Sequence, residues 1–354
     1  MTMILLYLIL LLITIIIVNS YINNNNRNEN RNSYILKSRS KIALNVATTP
    51  NTNTNTNTNT NIVDIDNNKP YLLSYNYITR KNENNNNPST APIVILHGLL
   101  GSGRNFNSWA KLLHSKLNER YDIMVMDLRN HGQSVRDVEM DYELMANDVL
   151  FSLESLGISK AHIIGHSMGG KAAAATALVG TWNKIESVVI LDISPVPYSR
   201  EDIGSVFDTV DFLVNSKDKI AKATTKQEVI DIVNKEFDDP SLRAFLLSNL
   251  QSSANPMGGF EWKFSIDGIE PSINSIADFP FCNTESCYPG PVLVLKASDS
   301  TFVRTSHVST ISTMFPSFTM ATQRNAGHWL HAEKPEETTD KVAQFFFFNE
   351  KNEV

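Results

Sequence analysis

Ala161-His162-Ile163-Ile164-Gly165-His166-Ser167-Met168-Gly169-Gly170-Lys171, followed by four alanines, reads as an apolar strand, a sharp turn and a helix, with a serine at the apex. The glycines at 165 and 169 are chemically required. The turn is strained, and side chains at those two places would collide with the neighbouring strand and helix. A serine carried on such a turn is held out at the end of a sheet, so the stretch predicts a reactive hydroxyl rather than a core residue.

Working outward, Ile93-Val94-Ile95-Leu96 is a short, continuous apolar run that enters the glycine loop His97-Gly98-Leu99-Leu100-Gly101. Such a run is the pattern of a strand buried on both faces. A loop of this kind can aim a backbone N–H at the reaction centre. Further strands are expected at Asp122–Met126, ending at Asp127, at Ser187–Leu191, ending at Asp192, at Pro291–Leu295 and at Phe318–Thr322. The last of these leads into Asn325-Ala326-Gly327-His328-Trp329, which places a histidine where it can reach the serine. Apolar runs alternating with helical segments imply a mainly parallel central sheet with helices on both faces.

The 354 residues are 42% hydrophobic with a formal net charge of −6. That is ample for one large α/β core, which is expected over residues 63–354. Neither a basic stripe nor a nucleic-acid motif is present, so no nucleic-acid partner is expected. Residues 1–22 form a targeting or anchoring segment around the sixteen-residue apolar run Met3–Val18, and residues 23–62 an Asn/Thr-rich linker expected to be disordered. No cation precedes the run, whereas Arg27, Arg31, Lys37, Arg39 and Lys41 follow it. This asymmetry argues against a cleaved secretory signal and keeps the following domain on the cytoplasmic or matrix side. Membrane association is expected through residues 3–18. Every Asn-x-Ser/Thr triplet is absent except Asn87-Pro88-Ser89, which proline blocks, and this disfavours a lumenal domain. Cys282 and Cys287, the only cysteines, read as free thiols, and no ligand spacing suggests a metal.

Between Pro197 and Pro289 the pattern becomes helical, with candidate helices at Ile203–Val214, Lys226–Phe237 and Ser241–Leu250. Residues 198–288 are therefore expected to form an inserted helical lid that shapes an acyl pocket and excludes water.

Leu96-His97-Gly98-Leu99-Leu100-Gly101-Ser102, Asp127-Leu128-Arg129-Asn130-His131-Gly132-Gln133-Ser134, Gly165 to Lys171 and Asp192-Ile193-Ser194-Pro195-Val196 together resemble the α/β-hydrolase superfamily over roughly residues 90–348. The resemblance implies the α/β-hydrolase fold and esterase- or lipase-type acyl hydrolysis without a cofactor. For eukaryotic members it also implies a mitochondrial setting; an endoplasmic-reticulum anchor with the catalytic domain facing the cytoplasm is the alternative. Ser167 is the expected nucleophile and His328 its base. The N–H groups of Met168 and Leu99 are the expected oxyanion hole.

The acid is less obvious. The usual family position, after the next-to-last core strand, reads Ala297-Ser298-Asp299-Ser300-Thr301-Phe302-Val303, which puts Asp299 one residue early and turned toward the other face. Asp192 ends the preceding strand, and similar bacterial proteins use the matching aspartate. Asp192 is therefore preferred, with Asp299 and, by resemblance alone, Asp267 as runners-up. His97, His131 and His166 are expected to make structural hydrogen bonds, and Leu99, Leu100, Met168 and Trp329 to lie near the pocket. A small-molecule acyl ester or lipid is the expected substrate. A thioester substrate, or a binding or scaffold protein that keeps the fold with minor turnover, are the competing readings.

Overall fold

Period-2 alternation in the buried strands builds the protein. The computed structural model describes residues 69–80, 91–180, 183–254 and 258–352; the targeting or anchoring segment expected at 1–22 and the linker expected at 23–62 lie outside them. Seven strands form one sheet: β1 (Tyr75–Ile78), β2 (Ile93–Leu96), β3 (Ile123–Met126), β4 (Ala161–His166), β5 (Ile185–Leu191), β8 (Val292–Ala297) and β9 (Phe318–Gln323). A separate antiparallel pair, β6 (Leu250–Ser252) and β7 (Phe260–Trp262), lies in the stretch between β5 and β8. The sheet order is β1-β3-β2-β4-β5-β8-β9, antiparallel only where β1 meets β3.

Successive side chains on these strands point to opposite faces, so each apolar run feeds two cores. Val94, Leu96, Met124, Met126, Ile163, Val188, Ile190, Val292 and Val294 line one face. Ile93, Ile95, Ile123, Val125, Ile164, Val189, Leu191, Leu293 and Leu295 line the other. The second face is covered by α1 (Asn107–Lys116) through Trp109 and Leu113, and by the C-terminal helix, α10 (Pro335–Asn352), through Val342 and Phe346. The first is covered by α2 (Tyr142–Ser155) and α3 (Met168–Val179). Ten consecutive residues of α3, from Met168 to Ala177, are buried. A helix apolar all round must be enclosed, and its alanines let it lie close to the sheet.

The order also fixes where the chemistry can sit. After β2 the chain moves outward to β3 and then returns to the other side of β2 as β4, so succession reverses between β2 and β4. Open α/β sheets leave a crevice at the carboxyl ends of strands flanking such a reversal. The loops after β2, β4, β5, β8 and β9 carry Leu99, Ser167, Asp192, Phe302 and His328 respectively.

Among the described residues, 198–288 hold four α-helices, α4 (Gly204–Ala221), α5 (Lys226–Glu236), α6 (Pro240–Ser248) and α7 (Ile266–Ala277), and a short 3-10 helix, Pro280–Asn283. The candidate helix at Ser241–Leu250 needs correction at its end. Leu250 ends no helix but opens β6: Asn249 caps the end of α6, and the chain from Leu250 pairs with β7 as an antiparallel ribbon.

One ion pair is sealed inside. Arg129 donates through Nε to Asp148 Oδ2 at 2.7 Å and through Nη2 to Oδ1 at 3.0 Å, and both side chains are inaccessible to solvent. Burial pushes the Asp148 carboxyl up, against the opposing pull of Arg129. Asp148 also accepts the Tyr71 N–H at 2.7 Å, and Arg129 donates to the Glu139 carbonyl at 2.9 Å. Removing one member leaves a charge stranded in the core. Asp148→Ala is therefore expected to cost about 3–5 kcal/mol in urea denaturation, several times the effect of truncating the exposed Asp211, partner of Arg200.

Candidate active site

Ser167 follows β4 with φ 53° and ψ −125°, a combination a residue with a Cβ adopts only under constraint. The cost, on the order of 1–3 kcal/mol, is offset by the fixed surroundings. The Ser167 N–H donates to the Leu191 carbonyl of β5 at 3.0 Å, and the Ser167 carbonyl accepts from Gly170 at 2.8 Å and Lys171 at 3.2 Å. The two expected glycines are sterically necessary. A Cβ on Gly165 would lie 2.0 Å from the Gly169 carbonyl oxygen, and one on Gly169 would lie 2.4 Å from the carbonyl oxygens of Leu96 and His97.

His328, in the loop after β9, brings Nε2 to 3.0 Å from Ser167 Oγ and Nδ1 to 2.8 Å from Asp192 Oδ2. Asp192 is fully buried at the end of β5, itself at positive φ (49°), with its other carboxylate oxygen accepting the Ala297 N–H at 2.8 Å. An ionised carboxylate only accepts, so the proton of the neutral imidazole belongs on Nδ1, which leaves Nε2 to accept from the serine hydroxyl. The runners-up lie elsewhere. Asp299 is exposed, and its carboxylate accepts from Ser298 Oγ at 2.7 Å. Asp267 is on α7, 2.5 Å from Lys217 Nζ at the surface. With Asp299 one residue before the usual acid position, β8 offers Asp192 a backbone donor, the Ala297 N–H, instead of a carboxylate.

The remaining histidines brace this arrangement. His97 accepts the Leu128 N–H on Nε2 at 3.0 Å and donates from Nδ1 to the Gly98 carbonyl at 2.8 Å. His131 accepts the Leu100 N–H at 3.1 Å and donates to the Arg129 carbonyl at 2.8 Å. With Leu100 so engaged and Gly101 N–H bound to the Gly98 carbonyl, the Leu99 N–H just before them makes no hydrogen bond among the described residues. Met168, at the first position of α3, carries one of the N–H groups that a helix start leaves without an internal acceptor. His166 donates from Nε2 to the His328 carbonyl at 2.8 Å and lies between the His328 and His331 rings. Burial, and then the neighbouring imidazoles His331 and His328, hold His166 well below the ordinary histidine range. Burial, and then His328, pull His331 down to about 3.

Several residues of this neighbourhood carried no signal in the sequence. Phe302 stacks over His328 at 4.3 Å between ring centres, and Phe245 of α6 reaches Trp329 at 5.6 Å. Tyr198 accepts the Ser194 N–H at 3.0 Å and donates to the Phe302 carbonyl, tying the loops after β5 and β8 together. Only tertiary proximity brings these rings in. Lys171 is different: a cation inside an otherwise apolar helix start was visible in the motif. Leu100, expected near the pocket, is buried in the core. Cys282 and Cys287 are free thiols, and among the described residues no group of three or more His, Cys, Asp or Glu could hold a metal ion.

The fold and this cluster define an α/β hydrolase, and comparison with known proteins agrees. Residues 91–335 match the family model described as alpha/beta hydrolase fold, and the chain belongs to that family. It is 34% identical over 278 residues to the sn-1-specific diacylglycerol lipase ABHD11 of Mus musculus, covering 78% of this chain and 86% of that protein. Esterase YbfF of Escherichia coli is 30% identical over 267 residues, 75% of this chain and 96% of that protein. A solved structure titled marine microorganism esterase superposes with a TM-score of 0.68 at 30% identity, covering 78% of this chain and 99% of that one. The protein is a hydrolase of the esterase and lipase type, acting on esters.

Gly165→Ala tests the turn. With a Cβ 2.0 Å from a backbone oxygen, the variant is expected to lose hydrolysis and to fall by several °C in melting temperature. Gly157→Ala, where the added Cβ meets nothing, should show only the smaller cost of a positive φ, with activity retained.

Proposed function

We propose that the protein cleaves carboxylic acyl esters through a Ser167–His328–Asp192 triad and an acyl-enzyme intermediate. The continuous chain of hydrogen bonds from the Ser167 hydroxyl through His328 to the buried Asp192 carries this reading. Ser167 Oγ attacks the ester carbonyl while His328 Nε2 takes its proton. Asp192 holds the ring and stabilises the imidazolium as it forms. The N–H groups of Met168 and Leu99 receive the carbonyl oxygen as it becomes an oxyanion. His328 returns the proton to the departing alcohol. Water then repeats the sequence against the acyl-serine and releases the acid.

The neutral neighbours support the chemistry. His166 and His331 are both held in the uncharged form, so the imidazolium at His328 meets no second cation beside it. Residues 198–288 act as the lid. Ser102 Oγ donates to Asn249 Oδ1 at 3.1 Å, which ties the insertion to the loop that carries Leu99. Phe245, Trp329 and Phe302 give the acyl group an aromatic surface beside His328.

The lipase relatives favour a glycerolipid acyl ester as substrate. The charge asymmetry around residues 3–18, which lie outside the described ones, supports a domain on the cytoplasmic or matrix side, and the family relationship favours a mitochondrial location. Among the described residues no helix is long and apolar enough to cross a membrane.

Labelling of the purified protein with a fluorophosphonate probe should be lost in Ser167→Ala together with turnover, a fall on the order of 10⁶ in kcat. Hydrolysis within tenfold of wild type would remove Ser167 from the mechanism, and labelling without turnover of any ester from acetyl to diacylglycerol would favour a binding role. Asp192→Asn favours the wrong imidazole tautomer and should lower kcat by roughly 10⁴, whereas Asp299→Asn should stay within about tenfold. The opposite ranking would transfer the acid to Asp299.

A further inference from the structure

Lys171 lies four residues beyond Ser167, and its own N–H closes the first turn of α3 onto the Ser167 carbonyl at 3.2 Å. Its side chain is 2% exposed and makes no ion pair among the described residues. Instead Nζ donates to the carbonyls of Ala277 at 2.9 Å and Asp278 at 3.1 Å, at the C-terminal end of α7. The rings of Tyr142 and Tyr198 flank the nitrogen at 5.3 and 4.6 Å. The same turn of α7 is gripped by two further donors. Tyr142 Oη–H binds the Ile276 carbonyl at 2.7 Å, and the Tyr198 N–H binds Ala277 at 3.0 Å. Tyr198 in turn reaches the Phe302 carbonyl, and the Phe302 ring lies against His328. One buried amine therefore joins the helix of the nucleophile, the last helix of the insertion and the loop beside the base.

We propose that Lys171 is a positioning residue whose proton sets how firmly the end of α7, and with it the inserted segment, is seated on the helix that carries Ser167.

The direction follows from burial. A buried ammonium without a carboxylate is poorly compensated by two carbonyls and two ring faces, so the seated arrangement favours the neutral amine. If α7 lifts, Lys171 reaches water and holds its proton as an ordinary lysine. The loosened arrangement then binds more protons than the seated one, and acid shifts the equilibrium toward it. Burial lowers Lys171 from the usual lysine value to about 7, against smaller upward pulls from Asp278 and Cys282. Loosening therefore grows as pH falls from the ordinary lysine range and levels off below about 7.

The groups facing Lys171 are shifted away from the range just above pH 7. Burial pushes the hydroxyls of Tyr142 on α2 and Tyr198 after β5 upward, and likewise the thiol of Cys282, which follows α7. His307, just before α8 (Val308–Met314), is lowered by burial and then by Arg304, so it is neutral above pH 7. The Asp278 carboxylate accepts its neighbour's N–H, from Phe279, at 2.8 Å.

The proposal rests on the triad reading only for its consequence on turnover, so the test reads the helix first. Hydrogen exchange of the full chain, corrected for intrinsic rates, is followed from pH 6 to 9.5 over residues 266–278, with α1 on the opposite face of the sheet as internal reference. Protection of α7 relative to α1 is expected to rise with pH above about 7, by up to roughly tenfold per unit, and to be flat below it. Lys171→Met, neutral throughout, should remove the slope. Lys171→Arg, charged throughout, should show low protection at every pH. The KM for a long-chain ester should follow the same profile in wild type and lose it in Lys171→Met, while kcat for an acetyl ester changes less than threefold.

A wild-type profile that is flat, shared with α1, or rising on acidification would overturn the proposal. So would an unchanged slope in Lys171→Met. Should that variant not fold, the wild-type profile and Lys171→Arg still decide. Flat exchange with Ser167-dependent hydrolysis intact would remove the latch alone; a sloping exchange profile without ester turnover would remove the triad reading alone.

Discussion

The closeness with which α3 approaches the carboxyl ends of β2 and β4 is the constraint on which the rest depends. At Gly165 and Gly169 the helix start and the strand ends come within a distance that excludes any side chain. That contact throws Ser167 into its strained conformation, points its hydroxyl out of the sheet and leaves the Met168 N–H uncommitted beside it. A looser approach would relax the serine and separate it from the loop after β2. Four consecutive alanines in α3 make the approach affordable in volume, because each buries a small side chain against the sheet.

Charge is arranged around the same point with economy. Asp192 is the carboxylate hydrogen-bonded to His328, and it receives a backbone donor from β8 as well as the imidazole. Around it stand imidazoles that burial keeps neutral, and one lysine that burial deprives of much of its affinity for a proton. Desolvation, the first cause in each of these shifts, also raises the strength of the hydrogen bonds at the site. The same burial makes Lys171 responsive to pH, because an unpaired cation in a low-dielectric seat always has somewhere better to be.

The order of the strands explains why residues far apart in sequence meet. Ser167, Asp192 and His328 are spread over 162 positions, yet each sits at the carboxyl end of its strand on one side of the sheet reversal between β2 and β4. The Phe302, Tyr198 and Phe245 side chains arrive from loops and from the insertion. Their contribution depends on how those pieces fold back, and the chain pattern at each position is unremarkable.

Local pattern was sufficient wherever a residue's role is dictated by its immediate neighbours. The apolar runs at 93–96, 123–126 and 292–295 had to be buried strands because every side chain in them is hydrophobic, and the glycines around Ser167 had to be there because nothing larger fits. The same logic singled out Ser167 and His328 and preferred Asp192 at a strand end. What the chain alone left open was anything set by a partner distant in sequence. That Asp299 faces solvent and that Asp267 meets Lys217 could not be read from the chain. The ribbon of β6 and β7 was hidden because short strands paired only with each other carry no period long enough to read. The seat of Lys171 was invisible for a related reason: its cage is made of two carbonyls and two rings from three separate segments, and only their convergence turns a lysine in an alanine helix into a buried one.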